Sequence, residues 1–175
     1  ASAVLAPEGR PRQEMQAYAL AVAPTLDGSI AGDAAWQGVV PAAGFTQVQP
    51  DEGRPATRDT EIYVGYTDTA LYIGFIAYDE RPETIIVADS RRDSSLDQTD
   101  SFRVVLDGLL DRQNAYLFGT NPAGVEYDAQ IVKEGSTGNF GSGGGGFNLN
   151  WDGSWSVEAR ITESGWVGEM EIPFT

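Results

Sequence analysis

The chain has 175 residues, a formal net charge of −15, no cysteine and no histidine. Lacking cysteine, it has no disulfides, thiolate metal ligands or cysteine nucleophiles; lacking histidine, it is without the commonest general base, zinc ligand and haem ligand. Its one lysine, Lys133, and its scattered arginines form no basic surface for phosphates, which argues against nucleic acid as a partner.

A chain of this length suits one domain and buries about 70% of the surface its unfolded form exposes, so a core without cross-links is expected. No apolar run approaches the ~20 residues of a membrane-spanning helix. The cysteine-free composition fits an exported protein, periplasmic, outer-membrane-associated or at the cell surface. Ala1-Ser2-Ala3 shows neither a basic n-region nor a long apolar h-region, and a signal peptide is expected to have been removed already.

Residues 1–23, with Pro7, Gly9 and Pro11 and no sustained period, read as an extended N-terminal arm ahead of a domain over 24–175. Asp27-Gly28 marks a turn, and Asp33 is a plausible N-cap for a short helical turn over Ala34, Ala35 and Trp36, with Trp36 plugging one end of the core. Ile62, Val64 and Tyr66 then alternate, Thr67 to Ala70 turn, and Leu71, Ile73, Phe75 and Ala77 alternate again, which predicts a β-hairpin. Its other face, Tyr63, Tyr72, Ile76 and Tyr78, is also largely apolar or aromatic, so loops are expected to cover part of it. Residues 81–98 read as a connection with room for one short strand.

Phe102, Val104 and Leu106 alternate into a strand ending at Gly108, and a turn follows through Asp111 to Asn114. The strands over 116–120 and 125–131 flank Asn121-Pro122-Ala123-Gly124, a turn with proline at its second position. Residues 135–146 are glycine-rich and read as a flexible surface loop. Trp155, Val157, Ala159 and Ile161 alternate, as do Trp166, Gly168, Met170, Ile172 and Phe174, with Glu169 and Glu171 expected to face out. The last strand runs almost to Thr175, which leads us to expect further chain beyond it. Short strands, frequent turn signals and almost no helical period predict an all-β antiparallel sandwich.

Chemistry-bearing residues concentrate at strand ends. Asp79 and Glu80 close the hairpin, Asp93, Asp97 and Asp100 precede the strand at Phe102, and Asp107 and Asp111 follow it. Calcium takes six to eight oxygens from such loops without strict geometry, so Asp79, Asp97 and Asp100 are candidate metal ligands; a solvated acidic face is the alternative. Sugar rings stack on exposed aromatic faces while amide and charged side chains bind hydroxyls. Trp151 is placed for this at a rim. Trp155 is a second candidate, although it shares the period of Val157 and Ile161, which points to the core; Arg103 and Asn121 are the candidate hydroxyl partners. Phe140 and Phe147 flank or sit in the glycine loop and can fold over a ligand. Gly143 to Gly146 lacks the following lysine of a phosphate-binding loop. Pairs such as Asp97 with Asp100, or Asp107 with Asp128, suit glycoside hydrolysis only because carboxylates are plentiful, and no enzyme is expected.

Taken in order, LDGSIAGDAAW, TEIYVGYTDTALYIGFIAYD, DSFRVVLD, NPAGVEYDAQ and GWVGEMEIPF resemble family 9 carbohydrate-binding modules. They are most similar to the version at the N-terminus of large bacterial outer-membrane proteins whose remainder is predicted to be a β-barrel. The resemblance covers residues 24–175 and implies an immunoglobulin-like or jelly-roll sandwich, structural calcium and a non-catalytic role in binding a glycan or polysaccharide. It also implies two tryptophans clamping a terminal sugar. Asp97 stands where one of them falls, Arg103 stands where the family has an acid, and the second tryptophan falls beyond Thr175. An accessory or interaction domain of a barrel protein, without sugar binding, is the alternative that these departures favour.

Overall fold

The computed structural model describes residues 14–132 and 146–174. The expected hairpin is its backbone: β2 (Thr60–Tyr66) and β3 (Ala70–Tyr78) pair antiparallel with Ile62 opposite Phe75 and Val64 opposite Ile73. The turn between them closes with a 3.0 Å bond from the Thr67 amide to the Ala70 carbonyl. The far edge of β3 receives β9 (Gly165–Pro173), and β8 (Ser156–Thr162) pairs with β9 in turn. A short β1 (Tyr18–Ala19) lies parallel to β2, giving a sheet in the order β1-β2-β3-β9-β8. The second sheet is antiparallel, in the order β4 (Phe102–Leu106), β5 (Ala115–Thr120), β6 (Tyr127–Ile131), β7 (Phe147–Asn148). The β5–β6 connection is the predicted turn, closed by a 2.9 Å bond from the Gly124 amide to the Asn121 carbonyl.

The two sheets meet through their alternating apolar residues. Ile73, Phe75, Val157, Trp166, Met170 and Ile172 of the first sheet pack with Phe118, Phe102 and Val104 of the second, and Trp155 joins them. Phe75 stacks on Phe102 at 4.0 Å and takes the edge of Trp166 at 4.7 Å. Phe75 and Met170 are completely buried, and full burial of a side chain of this size contributes about 1.5–3 kcal/mol.

The central part of the first sheet's outer face is buried as well, under residues from the stretch 20–39. Asp33 caps the 3₁₀ turn Ala34–Trp36 through its Oδ1, which accepts from the Ala35 amide at 2.8 Å. Trp36 packs there with Ile30, Tyr63, Tyr72 and Val167, so it covers this face and does not plug an end of the main core. Glu169 is corrected with it. Its alternation does turn it away from the inter-sheet core, but that side is roofed: Glu169 is fully buried and accepts from Trp36 Nε1 at 2.8 Å, from the Ser29 amide at 3.1 Å and from the Asp27 amide at 3.2 Å.

The connection over 81–98 carries a 3₁₀ turn, Pro82–Thr84, and no strand. Its Leu96 is buried against Leu117, Tyr127 and Ala129, on the outer face of the second sheet. Of the expected arm, residues 1–13 lie outside the described part, as does the glycine-rich stretch except Gly146. Among the described residues, no helix is long and apolar enough to cross a membrane.

Candidate functional site

At one end of the sandwich the sheets part into a cleft of about 420 Å³. Its walls come from the start of β3 (Leu71), the end of β4 (Leu106), the start of β5 (Tyr116) and the exit of β9 (Phe174), with Trp151 and Ser154 from the segment entering β8. Tyr116 and Trp151 lie side by side, ring centroids 4.7 Å apart and planes tilted by 35°. Phe118 meets Trp151 edge-on from within at 5.9 Å. A Cβ at Gly153 would stand 2.6 Å from the Trp151 ring, so only glycine lets the indole lie against its own chain. Tyr116 and Phe174 are exposed, at 38% and 58%, and Trp151 is partly exposed. The cleft therefore presents fixed, partly wet aromatic surface, which suits ligands that combine C–H faces with hydroxyls.

Of the four residues predicted to contact sugar, only Trp151 lines this cleft. Trp155 is buried and donates through Nε1 to Asp128 at 2.8 Å, which corrects its placement at a binding surface. Asn121 is buried too: its Nδ2 donates to the Asp89 carbonyl at 2.7 Å and its Oδ1 accepts from the Ala123 amide at 2.9 Å, so it builds the turn and is out of a ligand's reach. Arg103, on the outer face of β4, reaches Asp97 with Nη2 at 3.2 Å, and its buried Nε has no partner. Phe147 packs beside Leu96 and Tyr127, and Phe140 lies outside the described residues.

The aspartates predicted to hold calcium are not brought together. Asp79 accepts from the Arg81 amide at 2.8 Å and faces Arg58 at 3.8 Å. Asp100 accepts from the Ile86 amide at 2.6 Å, and Asp97 pairs with Arg103. Among the described residues, no group of three or more acidic side chains is arranged to hold a metal ion. These residues do not fit the calcium that the resemblance implied. Asp107 and Asp111 are occupied as well, by amides of their own turn, Arg112 on Asp107 at 2.8 Å and Gln113 and Asn114 on Asp111 at 2.7 and 2.8 Å.

Carboxylates do converge at one place, around an arginine. Arg92 bonds Glu126, Asp152 and, at 3.2 Å, the buried Asp128, with Asp93 at 3.8 Å and the Gly153 carbonyl at 3.4 Å. Burial acts to lower the guanidinium's pKa, but the carboxylates of Glu126, Asp152, Asp128 and Asp93 outweigh it, so the net direction is upward and the group stays charged. Asp128 is raised by its burial, against the opposing pull of the Trp155 indole, the Gly153 amide and Arg92.

Sequence reasoning missed Tyr116, Phe174 and Arg92. Tyr116 carried the signal of an aromatic on the core-facing phase at a strand start, where that phase opens to solvent. Arg92 carried none, since Glu126, Asp128 and Asp152, the carboxylates it hydrogen-bonds, lie 34, 36 and 60 positions away.

The fold has known counterparts. A family 9 carbohydrate-binding module of Caldicellulosiruptor kristjanssonii, solved with cellotriose, superposes with a TM-score of 0.60 at 16% identity, over 93% of this chain and 68% of that one. The same module solved with glucose gives 0.59 at 16% identity, over 94% and 70%. This chain has the family 9 module fold. No protein-family model and no curated protein matches the sequence.

Proposed function

We propose that this protein is a non-catalytic glycan-binding domain and that saccharide is taken by the cleft holding Tyr116 and Trp151. One observation carries this: two adjacent, partly exposed aromatic rings are locked by packing in a cleft between the sheets, where sugar C–H faces can stack at small ordering cost. The likeness of the fold to modules solved with cellotriose and glucose supports it and suggests β-linked glucans as first ligands. A binding role is favoured over catalysis because the carboxylates of both pairs weighed for hydrolysis are engaged elsewhere, Asp97 by Arg103, Asp100 by the Ile86 amide, Asp107 by turn amides and Asp128 by Trp155. Export to the periplasm, outer membrane or cell surface belongs to the same proposal, on the strength of the cysteine-free, acidic composition.

Calorimetric titration and a glycan array test it with wild type and Trp151→Ala. Saccharide binding that is lost in Trp151→Ala, with the fold retained, is the expected outcome. No binding by the wild type defeats the proposal.

The second function, an accessory domain contacting the barrel portion of a longer outer-membrane protein, is favoured by a separate observation. Leu109 and Leu110 stand 73% and 87% exposed on the β4–β5 loop. The backbone there is fixed by the Asp107 and Asp111 bonds, with Leu110 held at φ 54°, and bulky residues adopt that conformation rarely. Replacing both leucines by serine is expected to abolish co-purification with the rest of the natural chain if this contact operates, and to leave saccharide binding intact.

A further inference from the structure

We propose that the cleft between the sheets selects neutral glycans that carry O-acetyl esters, an inference that rests on its being a saccharide site. Its walls are largely apolar, with Leu71, Leu106, Ile172 and Phe174 around the ring pair of Tyr116 and Trp151. Among the described residues lining it, none is charged and none has a side-chain amide. Three side-chain groups there can hydrogen-bond: the phenol of Tyr116, the hydroxyl of Ser154 and the indole N–H of Trp151. None of the three bonds another described residue, so all are left for a ligand.

The balance of these groups favours acceptors on the ligand. An indole N–H only donates, a hydroxyl donates as well as accepts, and no carboxylate or amide oxygen lines the cleft to receive the several O–H donors of an unmodified sugar. A hydroxyl taken from water without a partner costs free energy. An acetyl ester reverses the demand, because it replaces a donor with a carbonyl that only accepts and adds a methyl group for the aliphatic wall. The ester is also uncharged. A uronate would find no countercharge among the lining residues of a chain with net charge −15. An N-acetyl group shares the carbonyl and the methyl but keeps an N–H that needs an acceptor, so the ester ranks first. Sugar C–H faces lie on the Tyr116 and Trp151 rings, 4.7 Å apart, while the acetyl group takes the aliphatic side of the cleft.

The test titrates wild type by calorimetry with partly O-acetylated cello-oligosaccharides, with the same sample after mild alkali has removed the esters, and with N-acetylchitotriose. The acetylated sample is expected to bind about tenfold tighter than the saponified one, the scale of one added hydrogen bond and a buried methyl group. In the double variant Tyr116→Phe with Ser154→Ala, which removes both hydroxyls, that ratio is expected to fall towards one. Saponified sugar binding as tightly as the acetylated form overturns the ester preference and leaves the saccharide site standing. N-acetylchitotriose binding as tightly as the ester, or a double variant that keeps the full ratio, overturns it as well. If wild type binds none of the three, the saccharide site falls and the preference with it.

Discussion

The indole Nε1 of Trp155 donates to Oδ2 of Asp128 at 2.8 Å on the inner side of the second sheet, and on the outer face of the first sheet Trp36 makes the same bond to Glu169, also at 2.8 Å. Each pair buries a carboxylate against an indole, one carboxylate per sheet. Trp155→Phe and Trp36→Phe keep an aromatic ring but remove the donor. Each is expected to cost about 1–3 kcal/mol in urea unfolding, the penalty for a buried acceptor left short of a partner. Trp155→Ala adds lost packing and should cost about 3–5 kcal/mol. A loss below ~0.5 kcal/mol in the phenylalanine variants, the range of ordinary surface changes, would show that the indole bonds contribute nothing.

Asp128 sets a pH dependence whose sign follows from the upward shift of its pKa. Its folded value lies above the unfolded 3.8 because burial disfavours the ionised form. The protonated group therefore favours the fold: its contribution is complete below pH 3.8 and is lost as pH rises through the folded value. Asp128→Asn removes this loss. Melting temperatures of wild type and variant, measured from acid to neutral pH, should diverge in the variant's favour as pH rises. Parallel curves would contradict the shift.

Tyrosine behaves similarly at the alkaline end. Burial, then the bond to Glu61, pushes the Tyr63 phenol from 10.0 to about 12. Tyr72, Tyr78 and Tyr127 are raised too, each chiefly by burial. The stabilisation these neutral phenols provide is complete below pH 10.0 and is lost, for Tyr63, as pH rises towards about 12. Absorbance titration of the folded protein should show late-ionising phenols, and in denaturant these should move to a transition near pH 10.0; a titration curve unchanged by denaturant would contradict the shifts.

Gly165 begins β9 at φ 139°, and a Cβ there would come within 2.0 Å of the Ala77 carbonyl and 2.8 Å of the Asp79 amide. Those atoms are backbone and cannot swing aside. Gly165→Ala is expected to destabilise by at least ~3 kcal/mol, the scale at which backbone conflict exceeds ordinary mutational effects. A thermal melt within a degree or so of wild type would mean that the β3–β9 junction is softer than its geometry implies.

Strand existence and facing were legible because they are local. Alternation along Ile62–Tyr66, Leu71–Ala77, Phe102–Leu106 and Trp166–Ile172 encodes which residues meet across the sandwich, since successive side chains leave a strand on opposite sides. Turn chemistry was local too: Asp33 at the 3₁₀ cap and Asn121 to Gly124 at the β5–β6 corner. Alternation does not state whether the second side is wet. Glu169 reads as solvent-facing on any local pattern, yet residues 27–36 fold over it from more than 130 positions away.

The sequence by itself determined an all-β sandwich, its strands, and the absence of cysteine and histidine chemistry, because period and composition are properties of short stretches and whole-chain counts. Only the tertiary structure decided which chemistry-bearing residues meet. It separated Asp79, Asp97 and Asp100 into unconnected contacts, sent Trp155 inward to Asp128, set Tyr116 beside Trp151, and put Arg92 among carboxylates from three stretches. Those encounters depend on strand order and on how loops cross the sheet ends, which no local period records.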